Sequence, residues 1–155
     1  MPDERPFTAF NFEVLLTDED GAVLCEGAFA ECDGLEMNLK VRTIREGGNN
    51  NQVIHLLGQT GYGQLNLKRG MTRDFGLWEW FDRSVSSGRE GSRLNGQVTL
   101  RDSEAGVGAA RARFSLTGCL PTKLKAPALN AKDGQIAIEE MQIVYERLQI
   151  ENPNA

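Results

Sequence analysis

Side chains able to carry acid–base or nucleophilic chemistry are few in this chain and poorly spaced for it. A nucleophile needs a base poised near neutral pH, most often histidine. The one histidine, His55, lies in the apolar run Val53-Ile54-His55-Leu56-Leu57, so it reads as a core or interface group rather than a general base. Cys25, Cys32 and Cys119 are odd in number and form no short C-x-x-C pair. Zinc asks for about four nitrogen or sulfur ligands, and a disulfide framework asks for paired cysteines. The three therefore read as free thiols inside a core. Asp18-Glu19-Asp20-Gly21 has the wrong spacing for a calcium loop and the right composition for a hairpin turn. Glu139 and Glu140 are adjacent, so a strand would point them to opposite faces and deny them a shared proton. No phosphate-cradling glycine loop and no H-E-x-x-H occurs. The expectation is a protein with no catalytic residue, no cofactor and no metal.

The chemistry on offer is that of association. Arg45-Glu46-Gly47-Gly48-Asn49-Asn50-Asn51 lies between two strand-like runs. Glycine and asparagine supply backbone freedom, tolerate positive φ and carry amide donors and acceptors, but they pack no core. A seven-residue segment with two glycines and three asparagines makes either a loose hairpin or an arm that grips another molecule. Trp80, the second tryptophan on one turn, falls off the apolar stripe expected for its helix. That makes it a candidate interface residue.

The elements that must position these groups are mostly strands. Period-two alternation marks Phe10–Leu16, Ala22–Cys32, Leu35–Ile44, Tyr62–Arg69, Leu94–Arg101, Ala110–Leu120 and a long run from Gln135 to Ile150. In the third of these, Leu35, Met37, Leu39 and Val41 face inward, while Glu36, Asn38, Lys40 and Arg42 face out. Leu65 and Leu67 are inward in the fourth. One helix is expected over 72–87, capped by Thr72, with Asp74 in its first turn and Met71, Phe75, Trp78, Phe81 and Val85 on its buried stripe. Pro121 to Asn130, with two prolines, reads as an irregular crossing. The fold class is mainly β: an antiparallel β-sandwich or partly open barrel of about seven or eight strands, with one helix and an arm loop over about 45–58.

The 155 residues suggest one domain, with 1–6 and 151–155 as loose termini. No apolar run reaches the ~20 residues that span a bilayer, and the polar start, Met1-Pro2-Asp3-Glu4-Arg5, is unlike a signal peptide. Assembly in the cytoplasm is the expectation. A net charge of −5 argues against a nucleic-acid surface. Residues 1–36 hold ten acids and one base, whereas 37–94 hold nine bases and five acids. Copies of the chain could attract head-to-tail on that asymmetry.

Five segments occur here in a telling order: Gly34-Leu35, the 45–51 arm, Leu65-Asn66-Leu67-Lys68-Arg69-Gly70-Met71-Thr72, Leu77-Trp78-Glu79-Trp80-Phe81, and Leu124-Lys125-Ala126-Pro127-Ala128-Leu129-Asn130-Ala131 followed by Ile138-Glu139-Glu140-Met141. Together, from about Phe7 to Ile150, they resemble the tail tube proteins of contractile phages and of phage-like extracellular contractile injection systems. The resemblance implies hexameric rings stacked into a hollow tube, propelled by a contractile sheath. It implies as partners other copies of the chain, sheath and baseplate proteins, and cargo in the lumen. By that resemblance Arg45 to Asn51, with His55, touch neighbouring copies in the same and the adjacent ring, and Glu36, Asn38, Lys40 and Arg42 face the lumen. A baseplate-proximal tube initiator of the same family is the runner-up, and the exported ring protein of type six secretion is related. A monomeric ligand-binding β-barrel is the reading from another class.

Overall fold

The computed structural model describes residues 12–48, 51–86, 93–101, 110–132, 134 and 136–152. Their order is β1 (Phe12–Thr17), β2 (Val23–Ala28), β3 (Glu31–Asp33), β4 (Met37–Ile44), β5 (Ile54–Tyr62), β6 (Gln64–Gly70), α1 (Gly76–Ser86), β7 (Leu94–Arg101), β8 (Ala110–Lys125), β9 (Ile138–Val144) and β10 (Arg147–Glu151). Eight strands form one antiparallel system in the order β2-β1-β7-β8-β9-β6-β3, with β10 also on β8; β4 and β5 pair only with each other. The mainly β class, the single helix and the open, unclosed sheet are as expected.

Apolar alternation explains why these runs are strands. Val14 and Leu16 of β1, Leu94 and Val98 of β7, Leu65 and Leu67 of β6, and Met141 and Ile143 of β9 all bury the same face, and with Leu77 and Trp80 of the helix they make one core. Asp18 closes the first hairpin by accepting the amides of Asp20 (3.0 Å) and Ala22 (2.8 Å). The carboxylate thus supplies the acceptor a turn needs.

β8 turns the corner between the two halves of the system. Its first part pairs with β7, from Cys119 to Ala110, and with β10, from Thr117 to Arg113. Its last part, Leu120 to Lys125, pairs with β9. Gly118 sits at the bend with φ +70°, where a Cβ would meet the Glu146 carboxylate at 2.5 Å. A left-handed residue with no side-chain room calls for glycine. The expected crossing from Pro121 is therefore a strand up to Lys125. Proline is tolerated because the pairing slips between Pro121 and Lys123, at a bulge where no ladder N–H is needed. The expected long run from Gln135, itself outside the described residues, to Ile150 contains two strands, β9 from Ile138 and β10 from Arg147, with the chain bent at Tyr145 and Glu146 between them and each strand following one part of β8. Glu151 ends β10 with its carboxylate on the Ser115 hydroxyl (3.1 Å).

The helix begins at Gly76, not near Thr72. Asp74 caps it, its Oδ1 accepting the Gly76 amide at 3.0 Å, while Thr72 Oγ1 accepts the amide of Asp74 at 3.2 Å. Position 87, the expected last residue, lies outside the described residues, as do Phe10 and the termini 1–6 and 153–155. The later start changes the buried face. Met71 and Phe75 precede the first turn and set no helical phase; Phe75 is half exposed and Val85 more so. The buried face is instead Leu77 and Trp80, with Phe81 packed beside them. The two tryptophans thereby exchange roles: Trp80, expected at an interface, is 0% exposed, and Trp78, expected in the core, is only partly buried.

Candidate assembly interface

Met37 to Ile44 alternates as expected, but its apolar face is exposed rather than buried in the core. β4 and β5 form a two-stranded ribbon in the register Met37↔Tyr62, Leu39↔Thr60, Val41↔Leu57, Thr43↔His55 and Ile44↔Ile54. Residues in direct register share a face. One face thus collects Met37, Leu39, Val41 and Leu57. The other carries Asn38, Lys40 and Arg42 toward the root, then Ile44, Ile54 and Leu56 toward the tip. Every residue of β4 is exposed, with Met37 at 59% and Val41 at 55%, and Leu57 of β5 is 73% exposed. The expectation that Met37, Leu39 and Val41 face the core is therefore corrected. Leu35, just before the ribbon, does pack against the core, and Leu65 and Leu67 are buried. Two strands cannot bury an apolar face between themselves.

At the tip, Arg45 and Glu46 lead into a turn at Gly47 and Gly48; Asn49 and Asn50 lie outside the described residues, and Asn51 is exposed. His55 is an exposed strand residue opposite Thr43, not part of a loop. Over about 45–58, then, only the tip is loop, and the ribbon extends well beyond that span on both strands. Glu36, Asn38, Lys40 and Arg42 are all exposed, Glu36 at the root and the others on β4.

The root is held more firmly. Gly34 has φ +100°, and a Cβ there would sit 1.9 Å from the Gln64 carbonyl oxygen. Tyr145 reaches this point from the bend between β9 and β10. Its hydroxyl donates to the Gly34 carbonyl (2.7 Å), accepts the Glu36 amide (3.1 Å) and lies 3.1 Å from the Glu36 carbonyl. The Gly63 amide also donates to that Glu36 carbonyl (3.2 Å), and the Tyr62 and Tyr145 rings stand 5.6 Å apart. Burial pushes the Tyr145 hydroxyl above its ordinary pKa of 10.0, so it stays a donor.

A second polar constellation fastens the helix. Arg69 of β6 and Glu139 of β9 are register partners, and both side chains are buried. Arg69 Nε donates to Glu139 Oε1, while its Nη2 donates to the Asp74 carbonyl (2.8 Å) and its Nη1 to Asp74 Oδ2 (3.3 Å). The other oxygen of Glu139 accepts the Trp78 indole N–H at 2.7 Å. The guanidinium also lies 5.4 Å from the Phe29 ring centroid and 3.3 Å from Cys25 Sγ. A buried charge survives only when paired and hydrogen-bonded, and here both charges are. The same period that put Leu65, Leu67, Met141 and Ile143 inward also put Arg69 and Glu139 inward. An inward arginine and an inward glutamate in alternating runs are the signal of this pair in the sequence. Glu140, on the opposite face, pairs loosely with Lys68 (3.8 Å).

Nothing in this arrangement assembles a reaction centre. Cys25, Cys32 and Cys119 are free thiols. Burial pushes Cys32 and Cys119 up to about 12 and raises Cys25 against the opposing pull of Arg69. Such thiols are poor nucleophiles. Among the described residues no group of three or more His, Cys, Asp or Glu could hold a metal ion, and no helix is long and apolar enough to cross a membrane.

The family profile described as T4-like virus tail tube protein gp19 matches residues 8–149. The chain belongs to this tail tube family. Among solved structures it resembles a chain of the anti-feeding prophage (AFP) baseplate, 6-fold symmetrised, at 24% identity and TM-score 0.82, over 99% of this chain and 100% of that one. It also resembles a chain of the PVC sheath-tube complex of an extracellular contractile injection system in its extended state, at 20% identity and TM-score 0.78, over 96% and 93%. An Hcp protein crystal structure shares the fold more distantly, at 10% identity and TM-score 0.59, over 91% and 98%. No curated protein sequence matches this tail tube chain.

Proposed function

We propose that this chain is a non-enzymatic structural subunit of the inner tube of a contractile injection particle or phage tail. It forms hexameric rings that stack into a conduit, and sheath contraction drives the conduit forward. One observation carries the reading: a tail tube family chain projects a ribbon whose apolar face, Met37, Leu39, Val41 and Leu57, stands exposed. Exposed apolar patches of this kind mark contact surfaces. The neighbouring copy supplies the cover, through the ribbon and its 45–51 tip, with His55 inside the contact. Glu36, Asn38, Lys40 and Arg42 are left to water, the channel water included. Sheath and baseplate proteins are the other partners, and the likeness to chains from such complexes supports this.

Electron microscopy of the purified protein tests the proposal. Rings or tubes are expected. Monodisperse single subunits under all conditions, together with absence from purified particles, would overturn it. A baseplate-proximal tube subunit is the second reading, supported by the likeness to the AFP baseplate chain. Copy number per particle separates the two: one ring at the base, or many along the shaft. The ligand-binding barrel would need a dry cavity. The cleft of about 630 Å³ bordered by Leu129, Ile136 and Glu140 is open to solvent, with Leu129 90% exposed.

A further inference from the structure

The ribbon's direction is set where it leaves the core, because among the described residues β4 and β5 pair only with each other. Two passages connect it: Gly34 to Met37 on one side and Tyr62 to Gln64 on the other. The eight residues of β4 reach about 25 Å. About 10° of slack at the root would move the tip by about 4 Å, close to one strand spacing. An arm so long, with so narrow a base, needs a rigid joint if a neighbour is to meet it in register.

The joint is built from few parts. Gly34 is locked by the Gln64 carbonyl, which fills the space a Cβ would take. Gly63 ties the two passages through the Glu36 carbonyl. Tyr145 holds the first passage on both sides of Leu35, at Gly34 and at Glu36, and it does so from the bend where the chain passes from β9 to β10. Its ring is buried among core residues, so its hydroxyl has a fixed origin. We infer that the Tyr145 hydroxyl is the positioning group of the assembly arm: by bridging Gly34 and Glu36 it fixes the direction in which the β4–β5 ribbon leaves the core. This rests on the ribbon being the contact between copies.

Tyr145→Phe in the full chain tests it, because the ring stays and only the bridge is lost. The variant is expected to fold, with its melting temperature lowered by a few degrees. The Glu36 amide, which loses its acceptor, should exchange its hydrogen about ten-fold faster, while amides of β6 keep their protection. The concentration needed for ring or tube formation should rise about ten-fold or more. Val98→Ala, a core truncation in β7, supplies a variant of comparable stability loss, and it should leave that concentration within about two-fold. Tyr145→Phe assembling like the parent, or Val98→Ala shifting assembly as far, would overturn the inference. If the parent chain itself never assembles, the self-assembly proposal fails, and hydrogen exchange alone then decides the joint: unchanged protection at Glu36 in Tyr145→Phe would overturn it.

Discussion

Two tryptophans only two positions apart are held by different forces, and their variants should separate cleanly. Trp80 is an apolar plug with no exposure, so Trp80→Ala should cost about 3–5 kcal/mol in urea unfolding. Trp78 is a half-buried donor to Glu139, so Trp78→Phe should cost about 1–2 kcal/mol, the cost of leaving a buried acceptor short of one partner. Equal losses would contradict the assignment. Glu139→Ala removes the carboxylate facing the buried Arg69 guanidinium. Breaking a buried pair costs about 3–5 kcal/mol, an upper bound here because Asp74 Oδ2 still faces the guanidinium at 3.3 Å, and denaturant midpoints comparable to the parent would show that Asp74 and water suffice for Arg69.

At the scale of elements, the ribbon shows what alternation can and cannot tell. The sequence put Met37, Leu39 and Val41 on one face and Asn38, Lys40 and Arg42 on the other, and that division holds in the paired register. Period two reports which side chains share a face; it says nothing about what covers that face. With a core assumed to be the chain's own, the run became a core strand. The helix was misphased for a related reason. Met71 and Phe75 have suitable spacing, but the Asp74 cap starts the helix after them, and capping rather than spacing fixes where the count begins. Strands β1, β6, β7 and β9 were legible because each buries one face against its own chain. Tyr145 lies in the alternating run from Gln135 to Ile150, but nothing in that run marks it as an anchor, since its partners lie 109 and 111 positions away. A prediction follows for the ribbon. Val41→Asp or Leu57→Asp, at exposed positions, should shift monomer stability by no more than about 0.5 kcal/mol while abolishing ring formation by light scattering and microscopy. Replacing 47–51 with a tight turn should likewise spare the monomer and impair stacking. Normal polymerisation of either would remove the ribbon from the interface.

The whole molecule carries a pH dependence of definite sign. Burial raises the pKa of Cys25, of Cys32 and Cys119 to about 12, and of Tyr145 above 10.0. In the unfolded chain these groups ionise first, near 9.0 for the thiols, so above that pH the unfolded state binds fewer protons and gains on the native one. This contribution is complete below about pH 9 and is lost as pH climbs toward about 12. Melting temperature measured across that window should fall steadily, and a flat profile would mean that the thiols already meet water in the native state. The topology has a consequence for synthesis as well. The ribbon is translated by residue 62, yet the β9 strand that neutralises Arg69 and the tyrosine that aims the ribbon arrive only at 138–145. A ribosome that stops early releases a fragment with the sticky ribbon sequence but no frame to direct it. Such a product cannot take a place meant for a complete chain.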